Sequence, residues 1–126
     1  MTNYELPVRY VMVGGEKLES FPLLNRGKLR LLNSYGPTET TVDVTTHWVD
    51  PTKEYDIPIG RPVVNTTAYI IDAQGRLTPR GVPGELCIGG VQLAEGYYNR
   101  PELTAKMFEQ CPFEKEGNRM YHTGDL

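Results

Sequence analysis

The chain is short of most features that would mark a membrane, nucleic-acid or metal-stapled protein. No apolar run approaches the roughly 20 residues that a membrane helix needs. Acidic residues outnumber basic ones, for a net charge of −3, so no basic patch argues for nucleic acid. The two cysteines form neither a disulfide framework nor a zinc-ligand spacing. Cys87 sits among apolar, strand-like neighbours and reads as a small buried hydrophobe. His47 and His122 lack ligand partners at useful spacing and read as ordinary polar or half-buried side chains. This sparse cysteine usage fits a reducing, cytoplasmic setting. Repeats and low-complexity tracts are absent.

What is present is a 126-residue chain, enough for one domain, with 39% apolar residues. Glycine and proline together supply 23 residues, which favours short strands and loops over a helical bundle. Val8–Val13 is β-rich and predicts a buried parallel strand, punctuated by Gly14 and Gly15. A short helix is expected over Glu16–Leu24, then a strand over Leu29–Leu32 that ends at Asn33. Ligands of open α/β sheets sit beyond the carboxyl ends of such strands, where Gly14-Gly15 and Asn33–Glu39 fall. Val42–Val49 reads as extended and Asp50–Glu54 as a polar loop. From about Ile57 the pattern changes to hairpins: strands at Ala68–Asp72 and Glu85–Ile88, with turns at Ala73–Gly75 and Pro79–Gly84. Pro101–Phe108 predicts a short helix with proline in its first turn and Glu102 at its positive end. Arg119–Tyr121 predicts a last strand. The expected division is an α/β part over residues 1–56 and a β-rich part over 57–126.

The run Asn33-Ser34-Tyr35-Gly36-Pro37-Thr38-Glu39 carries the most chemistry. Tyr35 can stack on a purine, and the Asn33 amide can hydrogen-bond a base edge. Gly36-Pro37 turns the backbone, because glycine tolerates positive φ and proline fixes φ. Thr38 can donate to a phosphate oxygen, and Glu39 offers a hard oxygen to Mg²⁺. Alone, the same run would also suit a polar turn between two strands.

Three other stretches accompany it. They are Val13–Leu18, Gly84–Gly90 continuing through Leu93–Thr104, and Tyr121-His122-Thr123-Gly124-Asp125-Leu126. In this order they resemble the motifs of adenylate-forming enzymes, specifically the adenylation domains of nonribosomal peptide synthetases, over nearly the whole chain. The resemblance implies a fragment of the large N-terminal adenylation subdomain. Its α/β fold would be a strand-helix-strand piece of a mixed sheet followed by a β-rich, barrel-like part. It also implies an amino-acid-activating ligase that forms aminoacyl-AMP and loads it onto a carrier protein. ATP/AMP, Mg²⁺, an amino acid and a peptidyl carrier domain bearing phosphopantetheine are the expected substrates, cofactors and partners.

By the same resemblance, Asn33 and Tyr35 hold adenine, with Ser34 and the bare backbone of Gly14 and Gly15 beside it. Thr38 binds the α-phosphate, Glu39 ligates Mg²⁺, and Asp125 takes the ribose hydroxyls. The amino-acid pocket maps to Met12, Gly14, Ser34, Val42 and Asp43. A carboxylate in a mostly apolar pocket is costly unless paired. Asp43 therefore predicts a polar substrate side chain, with ornithine or lysine slightly ahead of glutamine or serine. Pairing of Asp43 with protein donors is an equal alternative. Where the family usually has arginine, His122 and Glu95 stand here; the Gly84–Thr104 stretch reads as architectural, without a catalytic role. The family's phosphate loop, its α-amino-binding aspartate and its lysine-bearing C-terminal subdomain do not match this chain. It therefore reads as a piece of a larger protein, inactive and poorly soluble alone. The competing enzyme readings are a D-alanine–carrier ligase and an acyl-CoA-type ligase. A non-catalytic nucleotide-binding or scaffold fragment is the alternative of another class.

Overall fold

A computed structural model describes residues 8–19, 29–50, 52–53 and 56–126. Among the described residues, two four-stranded sheets make up the fold. The first contains β1 (Tyr10–Val13), β2 (Arg30–Tyr35), β3 (Thr45–Trp48) and β4 (Arg61–Pro62), in that order. β1 runs parallel to β2, and the other pairs are antiparallel, so the sheet is mixed. The second contains β5 (Thr66–Ile71), β6 (Glu85–Gly90), β7 (Phe108–Gln110) and β8 (Arg119–His122), in the order β5-β6-β8-β7. It is antiparallel and open, with β5 and β7 at its edges, so the β-rich part does not close into a barrel. Pairing passes from the first sheet to the second between Pro62 and Thr66.

β1 is parallel, as its sequence suggests, yet it is not buried. Tyr10 and Met12 are exposed, because among the described residues β1 pairs only with β2. The Arg30 guanidinium lies 4.5 Å from the Trp48 ring centroid and 5.9 Å from that of Tyr10, covering part of this face. β2 runs on through Tyr35 instead of stopping at Asn33, so the first residues of the motif are strand residues. Residues 16–19 are not helical, and residues 20–24 of the expected helix lie outside the described residues.

The β5–β6 connection follows from its side chains. Asp72 Oδ1 accepts from the backbone N–H of Gln74 and of Arg76, and Gly75 supplies a φ of 73°. The helix α1 (Pro101–Met107) begins on its proline with Glu102 in the first turn. It feeds directly into β7, too short a strand to register in the sequence pattern.

Val44 of the first sheet's hairpin loop packs on Leu86 and Ile88 of β6, with Tyr35, Ala68 and Leu93 against them. Burying each of these aliphatic side chains contributes about 1.5–3 kcal/mol. This cluster joins the two sheets. On the other face of the second sheet, Tyr69, Ile71, Cys87, Cys111 and Met120 form a separate cluster, capped by Phe113. Cys87 is fully buried there, as its neighbours predict.

Candidate active site

The motif run spans the end of β2 and the loop into β3. Side chains alternate along a strand, so Asn33 and Tyr35 point to one face and Ser34 to the other. Asn33 is 5% exposed, and its Nδ2 donates to the Pro58 carbonyl at 2.9 Å. That bond commits the amide nitrogen and fixes which way the acceptor oxygen Oδ1 points.

Gly36 differs from expectation. Its φ is not positive; a Cβ there would lie 2.2 Å from the Val42 carbonyl oxygen and 2.9 Å from the Val44 nitrogen. Glycine is therefore required by close approach of two chain segments, and the left-handed residues are Thr41 and Val42, at φ 58° and 71°. Pro37 is extended and leads into a 3-10 turn over Thr38–Thr40. Thr40 Oγ1 donates to the Pro37 carbonyl at 2.9 Å, and Val44 N–H donates to the Tyr35 carbonyl at 2.8 Å. These bonds present Thr38 on the surface and leave Glu39 half-buried.

Glu39 is held from the second sheet's side. Tyr97 Oη donates to Glu39 Oε1 at 2.7 Å, and Tyr121 Oη lies 3.5 Å from Tyr97 Oη. The Ala94 N–H donates to the Glu39 carbonyl at 2.8 Å, and Thr41 Oγ1 donates to the Gln92 carbonyl at 2.7 Å. The Tyr97 hydroxyl holds the Glu39 carboxyl below the usual range, so this acid is ionised. Burial pushes the Tyr121 phenol up. Tyr97, in the stretch that reads as architectural in sequence, and Tyr121, which opens the closing motif without a role of its own, are functional candidates that only the structure reveals.

Tyr35 and Asp125 meet directly. The Tyr35 hydroxyl donates to Asp125 Oδ2 across 90 positions of sequence. Burial, then this carboxylate, push the Tyr35 phenol up to about 12. The closing motif is anchored to β6: Leu86 N–H donates to the Asp125 carbonyl at 2.8 Å, and Thr123 Oγ1 donates to the Leu86 carbonyl at 2.7 Å. Asp125 stays exposed, available to a ligand hydroxyl.

The proposed pocket residues are only partly gathered. Gly14 abuts β2, where a Cβ would lie 2.6 Å from the Ser34 carbonyl oxygen. The close approach at Gly14 is thus to the neighbouring strand, whereas Gly15, at φ 91°, faces open space. The Ser34 hydroxyl donates to Asp43 Oδ1, so Asp43 has a protein partner and is surface-exposed. Val42 is exposed beside it, and Met12 lies on the exposed face of β1.

His122 departs from the sequence reading. It lies between two carboxylates, with Nδ1 3.1 Å from Glu85 Oε2 and Nε2 2.8 Å from Glu109 Oε1. β6, β7 and β8 bring together residues that are far apart in sequence, which spacing could not show.

The family described as AMP-binding enzyme matches residues 2–98. Surfactin synthase subunit 1 of Bacillus subtilis (strain 168) is 48% identical over 125 residues, covering 94% of this chain and 4% of that protein. Tyrocidine synthase 1 of Brevibacillus parabrevis is 47% identical over 121 residues, covering 92% of this chain and 11% of that protein. Among solved structures, a four-domain nonribosomal peptide synthetase bound to AMP and glycine aligns with a TM-score of 0.77 at 44% identity, over 90% of this chain and 9% of that one. A synthetase protein containing adenylation and carrier (PCP) domains aligns with a TM-score of 0.82 at 34% identity, over 93% and 25%. The chain therefore spans a small part of each relative. No described helix is long and apolar enough to cross a membrane.

Proposed function

This chain belongs to the AMP-binding enzyme family, and from that premise we propose that it supplies part of an amino-acid-adenylating domain of nonribosomal peptide synthesis. The amino acid's carboxylate oxygen attacks the α-phosphorus of ATP. The bond to pyrophosphate breaks, and aminoacyl-AMP forms for transfer to the phosphopantetheine thiol of a carrier domain. The observation that best supports this reading is the Tyr35–Asp125 hydrogen bond, which draws the Asn33–Glu39 run and the closing motif into one site.

The work of such a site is positioning and charge stabilisation, and it needs no protein nucleophile. Tyr35 offers a ring face to adenine, and Asn33 Oδ1 accepts from the adenine amino group. Thr38 donates to an α-phosphate oxygen, and Asp125 accepts from the ribose hydroxyls. The ionised, half-buried Glu39 fits a hard cation, which is commonly held by one or two carboxylates together with substrate phosphates. Mg²⁺ bound there would neutralise charge on the phosphates. Tyr97 fixes the carboxylate's orientation through Oε1. A division into parts 1–56 and 57–126 and a cytoplasmic setting belong to the same proposal.

For the substrate, Asp43 has Oδ1 bonded to Ser34 and offers its other oxygen to a polar side chain, with ornithine or lysine ahead of glutamine or serine. Grafting this segment into an active adenylation domain and measuring pyrophosphate exchange across a panel of amino acids tests the preference. Exchange shifted to basic or polar amino acids, and lost for them in Asp43→Ala, is the expected result. A preference for phenylalanine or leucine would overturn it.

A further inference from the structure

On the face of the second sheet that carries the Tyr69–Met120 cluster, three side chains with metal-binding atoms converge beside the closing motif. Glu85 and Cys87 are two apart on β6 and so share a face. Cys87 is the register partner of His122 on β8. His122 Nδ1 lies 3.5 Å from Cys87 Sγ and 3.1 Å from Glu85 Oε2, and the three donor atoms all fall within 4.8 Å of one another. Donors around a tetrahedral zinc, with bonds of 2.0–2.3 Å, stand about 3.3–3.6 Å apart. The two separations from His122 Nδ1, 3.5 Å to Cys87 Sγ and 3.1 Å to Glu85 Oε2, are close to that spacing.

The surroundings supply an independent argument. His122 Nε2 lies 2.8 Å from Glu109 Oε1, where an N–H donor satisfies the carboxylate. With its proton on Nε2, the imidazole presents a bare Nδ1 to the Glu85 carboxylate. Two acceptors at 3.1 Å repel unless a cation lies between them. A second proton on the ring is one such cation; the adjacent Cys87 sulfur suits a soft-to-borderline metal better. A metal-bound histidine that hands its other N–H to a carboxylate is a recurrent outer-shell arrangement. Glu85 is itself oriented, since its Oε1 accepts from the Gly124 N–H at 3.1 Å.

We propose that Glu85, Cys87 and His122 form a binding site for a zinc-class divalent cation, with Glu109 holding the imidazole from outside and a fourth position open to water. The bound ion ties β6 to β8 immediately before Thr123–Asp125. It thereby fastens the closing motif, whatever reaction the parent protein performs.

The test is titration of the reduced 126-residue chain with Co²⁺ alone, followed by Zn²⁺. A near-ultraviolet thiolate-to-cobalt band that Zn²⁺ bleaches is expected. Cys111→Ser retains this band and Cys87→Ser loses it. Glu109→Gln keeps the band and weakens affinity about 10–100-fold. On the unsubstituted chain, Zn²⁺ should shift the His122 ring ¹⁵N resonances, a readout independent of whether Cys87→Ser folds. Absence of the band with ring nitrogens unmoved by Zn²⁺ would overturn the proposal. So would a band that survives Cys87→Ser.

Discussion

Removing the Tyr35 hydroxyl isolates the contact on which the site's assembly depends. Tyr35→Phe keeps the ring, its packing against the Val44–Leu86–Ile88 cluster and its capacity to stack. It deletes the donor to Asp125 Oδ2, together with the hydroxyl's contact with the Thr123 side chain. A hydrogen bond to a charged group contributes about 1.5–3 kcal/mol. Asp125 is exposed, so solvent screens part of that, and a cost of about 1 kcal/mol is expected. For a chain of this size the midpoint of thermal unfolding should fall by roughly 3–5 °C. The pH dependence has a defined sign. With the folded-state phenol pushed up to about 12 from an ordinary 10, the folded state keeps a proton that the unfolded state loses. This contribution is complete below pH ~10 and disappears as pH rises toward ~12. Circular-dichroism melts of both proteins from neutral to alkaline pH would measure it, with the phenylalanine variant losing less stability over that window. Equal melting points at neutral pH and parallel losses at high pH would refute the argument that this bond holds β2 to the closing motif.

Other outcomes follow from the same physics. Gly36→Ala pushes a Cβ to 2.2 Å from the Val42 oxygen and should cost at least about 2–3 kcal/mol in urea unfolding. Gly75→Ala meets no neighbour and should lose only the roughly 1 kcal/mol of a strained φ; equal costs would undo the distinction. Tyr69 donates its hydroxyl to Glu114, which holds that carboxyl below its usual range. In Tyr69→Phe the Glu114 carboxyl ¹³C titration should therefore move upward, and an unmoved midpoint would remove the assigned cause.

Local chemistry carried a good part of the fold. The β-branched and aromatic run marked β5, the short apolar run after Gly84 marked β6, the Asp72–Gly75 turn was visible in its residue types, and proline marked the start of α1. The motif residues also landed where a strand end and loop can present them. What escaped the sequence depends on how distant elements meet. Burial of β1 was over-read because an apolar pattern does not say whether a second neighbour exists. The role of Gly36 was misassigned because close approach of Val42 is invisible until the loop folds back. Tyr97 reads as architectural in sequence and Tyr121 carries no assigned role, since nothing in their spacing places them beside Glu39, 58 positions from Tyr97. His122 seemed without partners because Glu85, Cys87 and Glu109 reach it only through strand pairing.

The central claim is that these residues form part of an amino-acid adenylation site. Its most direct test is amino-acid-dependent pyrophosphate exchange by an adenylation domain carrying this segment, compared with the same graft bearing Glu39→Gln or Asp125→Ala. Exchange that requires Mg²⁺ and falls by on the order of 10²-fold or more in Glu39→Gln is expected, as for loss of a group acting on transition-state charge. A weaker hold on ATP in Asp125→Ala is expected alongside it. A folded graft without exchange for any amino acid, or one indifferent to Glu39 and Asp125, would contradict the account.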